Sequence, residues 1–193
     1  MIDRDPVYLS REKLLLELVS KLSGRILDIG CNTGRTSIKF HKLGFNVFAI
    51  DNDIKRISKL QKTNKQIHFN VHDCEKVFSF KDNYFDVIWA GDIIEHLKNT
   101  EQFVSEISRI IKKEGVLILS TPYHGLIKNL VITGYNFNKH YNPNSDHLRF
   151  YTIKTLKSQL KRNNLYIDQF YLLGRIKPLA KSMFIVTKKQ QSS

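Results

Sequence analysis

Apolar residues recur along the chain in two rhythms that alternate. Leu14, Leu15, Leu18 and Leu22 fall at helical spacing and predict an N-terminal helix over 8–23, stopped by Gly24. Short apolar runs predict strands over 25–30, 45–50, 67–71, 85–89 and 116–120. Helices are predicted between them, over 33–43 with Gly44 as its stop, over 53–62, and over 100–112. The last of these carries Phe103, Val104, Ile107, Ile110 and Ile111 on one face. The stretch 122–150 is rich in Asn, His, Tyr and Gly and reads as loop. A helix over 152–163 follows, then two strands, 165–173 and 182–187, expected as an antiparallel edge pair. Alternating strands and helices predict an α/β fold, a largely parallel sheet with helices on both faces. Such sheets bind ligands beyond the C-terminal ends of their strands, where the strand order reverses.

The length, 193 residues, suits one compact domain with its own core and leaves no room for a second catalytic domain. We expect one domain over 1–193, with 122–151 as an acceptor or lid insertion. No apolar run approaches the roughly 20 residues that span a bilayer, and the charged start Met1-Ile-Asp-Arg-Asp-Pro6 does not read as a targeting signal. The tail 188–193 reads as disordered. Cys31 and Cys74 are the only cysteines, which points to a reducing cytoplasm rather than a disulfide framework. Charge is uneven: residues 101–193 hold 15 Lys/Arg against 5 Asp/Glu, a net +10 of the chain's +13. That favours an anionic partner or substrate, such as nucleic acid, a phosphorylated metabolite or an anionic membrane surface, or else a solvated Lys-rich face, since the lysines are scattered.

The chemistry is concentrated in Arg25-Ile-Leu-Asp-Ile-Gly-Cys-Asn-Thr-Gly34 and in Asp51, which closes the next apolar run. Gly30 and Gly34 allow a tight turn and close approach of a ligand. Asp51, at a strand tip, can accept both hydroxyls of a ribose. The dinucleotide pattern G-x-G-x-x-G is absent, as is the phosphate loop G-x-x-x-x-G-K-[ST]. Asp28, two residues before the first glycine, repels phosphate and attracts an ammonium group. The pattern therefore favours a nucleoside cofactor with an amino-acid end.

Ile26-Leu-Asp-Ile-Gly-Cys-Asn-Thr-Gly34 resembles the signature of the class I S-adenosylmethionine (SAM) methyltransferases, with Asn32 in place of the usual middle glycine. Asn tolerates left-handed backbone better than most residues, so the loop is expected to survive. The resemblance continues through Asp51, Asp73, Phe85-Asp-Val-Ile-Trp-Ala-Gly-Asp-Ile-Ile-Glu-His-Leu97 and Gly115-Val-Leu-Ile-Leu-Ser-Thr-Pro122. It implies a Rossmann-like sheet of seven strands in the order 3-2-1-4-5-7-6, with strand seven antiparallel. It also implies cofactor contacts at Asp28, Gly30, Cys31, Asn32 and Gly34, at Asp51 and Asn52, at Asp73 and Cys74 on the adenine, and at Ala90 and Gly91 beneath the methionyl part. Asp53 reads as a helix cap, and Trp89 as sheet core rather than a stacking platform.

Methyl transfer to a hydroxyl needs proton removal, for which His is the usual agent. His124, His147 and His96 are the catalytic candidates, with His140 and the aromatics Tyr123, Tyr135, Phe137 and Tyr141 in the same long stretch. His41 and His68 read as ordinary structural residues. Asp92-Ile-Ile-Glu-His96 resembles an E-x-x-E-H turn that holds a divalent ion in two methyltransferase families, one making ubiquinone and one capping small RNAs. Asp92, Glu95, His96 and His147 would be the ligands. Because x-x-Glu-His-Leu is also widespread in metal-free relatives, no metal is expected. The expected activity is O-methylation of a small acceptor, anionic or glycosylated, by a monomer or homodimer resembling the ubiquinone-type group. RNA 2′-O-methylation and a non-catalytic SAM-fold partner are the alternatives.

Overall fold

The computed structural model describes residues 6–135, 147–174 and 176–189. His140, Phe137, Tyr141 and Asp146 lie outside the described residues, as does the end of the tail. Among the described residues the strands are β1 (Arg25–Ile29), β2 (Asn46–Asp51), β3 (His68–Val71), β4 (Phe85–Gly91), β5 (Ile111–Pro122), β6 (Leu165–Leu173) and β7 (Ser182–Lys189). They form one sheet in the order β3-β2-β1-β4-β5-β7-β6, and only β7 runs against its neighbours. The expected order and the one antiparallel strand are both present.

The central strands are apolar on both faces because both faces are covered. Leu27, Ile29, Ile88 and Leu119 face one layer, where they meet Phe103 and Ile107 of α4 (Thr100–Ile110) and Leu156 and Leu160 of α6 (Ile153–Arg162). Ile26, Val47, Ala49 and Trp89 face the other layer. There they meet Leu15 and Val19 of α1 (Pro6–Val19), Phe40 of α2 (Arg35–Lys42) and Ile57 of α3 (Ile54–Thr63). Buried polar links pin the first layer: Gln159 donates to Thr100 Oγ1 at 2.7 Å and accepts from the Tyr151 hydroxyl at 3.1 Å.

Three boundaries differ from expectation. Helix α1 ends at Val19 rather than near residue 23, because the chain turns there (Leu22 N donates to Val19 O at 2.9 Å) to enter β1. Strand β5 begins at Ile111, directly after α4, and its residues between Ile111 and Val116 bulge opposite the short step from Phe85 to Val87 of β4. The stretch expected as loop contains a helix, α5 (Leu126–Tyr135). Its run Leu126-Ile-Lys-Asn-Leu-Val-Ile132 is helix-compatible, but none of its residues is buried, so the usual core-facing stripe is missing.

Helix α6 opens on a capping box in which Thr152 Oγ1 accepts from Thr155 N at 3.2 Å and Thr155 Oγ1 accepts from Thr152 N at 3.0 Å. Thr152→Ala is expected to cost about 1 kcal/mol, lowering the thermal midpoint by about 2–4 °C. A calorimetric melt beside the wild type checks it.

Candidate active site

The site lies where strand order reverses, between β1 and β4. After Ile29 the chain turns, and Gly30 N and Cys31 N both donate to Ile50 O, at 2.8 and 3.0 Å. Gly30 (φ +71) and Gly34 (φ +73) are left-handed, and a Cβ on Gly34 would stand 2.9 Å from Leu60 Cδ2. Asn32 takes the same hand, with φ 47, so the substitution in the loop keeps its path. Asp51 fixes that path: its Oδ2 accepts from Asn32 N at 2.8 Å, and its Oδ1 accepts from Asp53 N at 3.0 Å and Arg56 Nη1 at 3.4 Å. Asp53 caps α3 through Arg56 N at 2.9 Å, as expected.

Two adjoining cavities share Gly30. The larger, of about 340 Å³, is lined by Arg11, Asp28, the turn Gly30–Thr33, Trp89, Gly91 and Asp92 among others. Asp28 is only 2% exposed and accepts from Ser37 Oγ at 2.6 Å. Burial raises its pKa to about 7; the Ser37 hydrogen bond opposes that rise and nearby Asp51 adds to it. Arg11, on α1, brings the opposite charge and donates to Asp92 and, at 2.9 Å, to Ser120 Oγ. A buried carboxylate and a guanidinium in one cleft suit a zwitterionic amino-acid group. Trp89 is largely buried against Phe184 (5.4 Å between rings), yet its edge also borders this cleft.

The smaller cavity, about 90 Å³, is lined by Ile29, Gly30, Ile50, Asp51, Asn52, His72, Cys74 and Ile93. Its apolar walls and the Asp51 carboxylate at its edge suit a base and its ribose. His72 Nε2 is buried with no hydrogen-bond partner among the described residues, which leaves a polar atom for a ligand to satisfy. The Asp73 side chain instead accepts from Glu75 N at 3.0 Å and does not line the cavity. Ala90 is buried in the sheet and borders neither cavity, whereas Gly91 borders the larger. Cys31 and Cys74 are free thiols, and burial pushes the pKa of both well up.

Beyond β4, a single 3-10 turn (Ile94–His96) brings Glu95 and His96 to His147, with candidate ligand atoms all within 4.8 Å of one another. The His96 and His147 rings meet edge to face at 4.9 Å, and Leu148 N donates to Glu95 O at 2.8 Å. Glu95 is buried, accepts from Thr121 Oγ1 at 3.0 Å, and its pKa is raised to about 7, chiefly by burial and then by Asp92. Asp92 stands apart from this cluster. Its positive φ of 49 turns it toward Ser120 Oγ (3.0 Å) and Arg11. His124 is buried at the start of the following segment, edge-on to Phe150 at 4.8 Å, and does not border the clefts. His68 stacks on Phe48 at 4.6 Å.

Arg11 and His72 are the site residues that sequence reasoning missed. Arg11 is one of 31 Lys/Arg, and nothing local marks it. His72 lies beside Asp73, where the acid drew attention.

Fold and site together define an α/β protein built to hold a nucleoside joined to an amino acid. Residues 3–169 match the methyltransferase-domain family. The chain belongs to that family and is a SAM-dependent methyltransferase of class I. It is 26% identical over 178 residues to the malonyl-[acyl-carrier protein] O-methyltransferase of Buchnera aphidicola, covering 91% of this chain and 69% of that protein. It is 34% identical over 113 residues to the ubiquinone biosynthesis O-methyltransferase of Rickettsia typhi, covering 56% of this chain but only 44% of that protein. The fold matches that of the 1,6-didemethyltoxoflavin-N1-methyltransferase of Burkholderia thailandensis, solved with its acceptor and S-adenosylhomocysteine bound. The TM-score is 0.74 at 14% identity, over 98% of this chain and 80% of that one. Among the described residues, no helix is long and apolar enough to cross a membrane.

Proposed function

We propose that this methyltransferase, working as one domain in the cytoplasm, moves a methyl group from SAM to an oxygen of a small-molecule acceptor. The observation that carries the reading is the pair of cavities that share Gly30, one lined by Asp51 and the other by Asp28 and Arg11. Both relatives named above are O-methyltransferases, which supports oxygen as the accepting atom. SAM brings the activated methyl group, so the chain's task is alignment, exclusion of water and proton removal. Asp51 accepts from the ribose hydroxyls, His72 and Cys74 border the base, and Gly91 leaves room for the methionyl part. Asp28, once ionised, holds the ammonium, and Arg11 faces the carboxylate. The segment 122–151, of which 136–146 lie outside the described residues, is assigned to the acceptor side, and the net +10 of residues 101–193 favours an anionic acceptor.

Half-buried His96, four residues beyond Asp92 of the larger cleft, and exposed His147 supply the proton acceptor. Like buried His124 they line neither cleft in the cofactor-free protein, and His124 positions the segment that follows β5. The reading is of a reaction without a metal, since Arg11 and Ser120 occupy Asp92 and only Glu95, His96 and His147 of the four candidate ligands come together. Turnover is therefore expected to stay within about twofold in chelator. Loss of activity restored by Mg²⁺ or Mn²⁺ would instead assign Glu95, His96 and His147 to an ion. His96→Ala should lower kcat by about 10²-fold, the lower end for general-base catalysis, with the KM for SAM unchanged. A screen with methyl-labelled SAM against phenols, carboxylic acids, glycosides and RNA tests the reading. Label is expected in small molecules; label in RNA alone would overturn it in favour of an RNA methyltransferase, and no label with any acceptor would favour a non-catalytic partner.

A further inference from the structure

Helix α5 is built inside out. Leu126, Ile127, Leu130, Val131 and Tyr135 form one stripe along it, at i, i+1, i+4, i+5 and i+9, and this stripe faces solvent. Leu126 is 75% exposed, Leu130 64% and Tyr135 94%. The polar residues turn inward: Lys128 Nζ donates to Tyr123 O at 2.6 Å and Asn129 Nδ2 donates to His124 O at 3.2 Å. A surface helix ordinarily buries its apolar stripe and shows its polar one. Here the protein's own hydrogen bonds hold the reverse orientation, so the exposed stripe is fixed by the fold.

The surroundings of the stripe are cationic. The 3-10 turn Lys177–Leu179 packs beside α5, carrying exposed Lys177 and followed by exposed Lys181. Lys181 lies near enough to Lys128 to help burial lower the Lys128 pKa. The two segments that meet here, residues 121–135 and 169–189, contain no Asp or Glu at all. Ile176, which leads into that turn, is also exposed. An apolar stripe rimmed by cations, with no acid on either contributing segment, matches the chemistry of an anionic bilayer: acyl chains below a negative surface.

We infer that α5 and the adjoining Lys177–Leu179 turn form a peripheral docking surface for an anionic lipid membrane. The stripe sinks into the acyl boundary, Tyr135 sits at the headgroup level, and Lys177 and Lys181 meet lipid phosphates. Helix α5 begins four residues after β5 ends, at the end of the sheet that carries the cleft. Docking therefore brings the site to the lipid surface, where an apolar acceptor would concentrate.

The test is co-sedimentation with vesicles of phosphatidylglycerol and phosphatidylcholine in equal parts, beside vesicles of phosphatidylcholine alone. The full chain should partition at least about tenfold more strongly to the anionic vesicles, from about 1 kcal/mol per surface cation, and the difference should shrink with salt. Leu130→Glu with Val131→Glu should abolish binding to both, and Lys177→Glu with Lys181→Glu should remove the preference for anionic lipid. These side chains are exposed, so circular dichroism and S-adenosylhomocysteine titration should match the wild type and separate loss of docking from loss of fold or cofactor site. Folded, cofactor-binding wild type that stays in the supernatant with both vesicles overturns the inference. So does vesicle binding that survives the double glutamate change. A dimer in light scattering that the same change splits would overturn it too, assigning the stripe to a second copy of the chain.

Discussion

Replacing Asp51 with alanine should weaken S-adenosylhomocysteine binding by about 10³-fold while leaving the protein folded. Two effects add. The carboxylate is the expected acceptor for two ribose hydroxyls, and hydrogen bonds to a charged group contribute about 1.5–3 kcal/mol each. That alone is roughly 3–6 kcal/mol, or 10²- to 10⁴-fold at 1.4 kcal/mol per decade. The same carboxylate also holds Asn32 N at 2.8 Å and Asp53 N at 3.0 Å, so its loss loosens the turn that approaches the ligand. Asp51→Asn keeps one acceptor oxygen and should fall between the two. Calorimetric titration of the three proteins reads the effect directly. A dissociation constant within threefold of wild type in the alanine variant would remove Asp51 from the site. Failure of the folded wild type to bind would show that the loop with Asn32 in its middle needs a further partner to hold the cofactor.

The part of the site that was legible in the sequence is the part fixed by neighbours in sequence. An apolar strand, two glycines four apart and an acid at the next strand tip each constrain the backbone locally, and Gly30, Gly34 and Asp51 stand where that pattern puts them. Contacts made across the fold were not legible. Arg11 meets Asp92 across 81 residues of chain, and only the packing of α1 over the sheet end joins them. Asp92 itself was read as one member of a helical turn, three residues before Glu95. The backbone is instead left-handed at Asp92 and 3-10 from Ile94, so its carboxylate turns away while Glu95 and His96 meet His147. At the end of β3 the local turn decides: Asp73 satisfies Glu75 N, and the neighbours on either side, His72 and Cys74, face the cavity. Helix α5 escaped notice for a different reason. Sequence reading looks for a stripe that a core would bury, and here the stripe is on the outside.

Asp28→Asn should make the cofactor-free protein more stable and a poorer binder. Burial holds the Asp28 pKa near 7, well above the ordinary 3.8. Between those two values the folded protein keeps a proton that the unfolded chain has released. Stability therefore falls as pH rises through that window and is flat above it. A rise of about three units at about 1.4 kcal/mol each sets a ceiling near 4 kcal/mol, and relaxation around the ionised group brings the expected gain for asparagine to about 2–4 kcal/mol at pH 8. At pH 4 the two proteins should be nearly equal. Glu95 titrates over the same range, so wild type keeps two sources of pH dependence and the variant keeps one. The difference between their urea midpoints across pH isolates Asp28. Binding should move the other way: an ionised Asp28 is what attracts the ammonium, so wild-type affinity for S-adenosylhomocysteine should rise between pH 6 and 7.5. The Asp28→Asn variant should bind about 10²-fold more weakly at pH 8 and lose that rise, since one charge-assisted contact is worth roughly 1.5–3 kcal/mol. Parallel stability profiles with unchanged affinity would mean that Asp28 only braces Ser37 and the loop. Opposite shifts in stability and affinity would mean that the fold tolerates a destabilising buried carboxylate because the ligand's cation needs it.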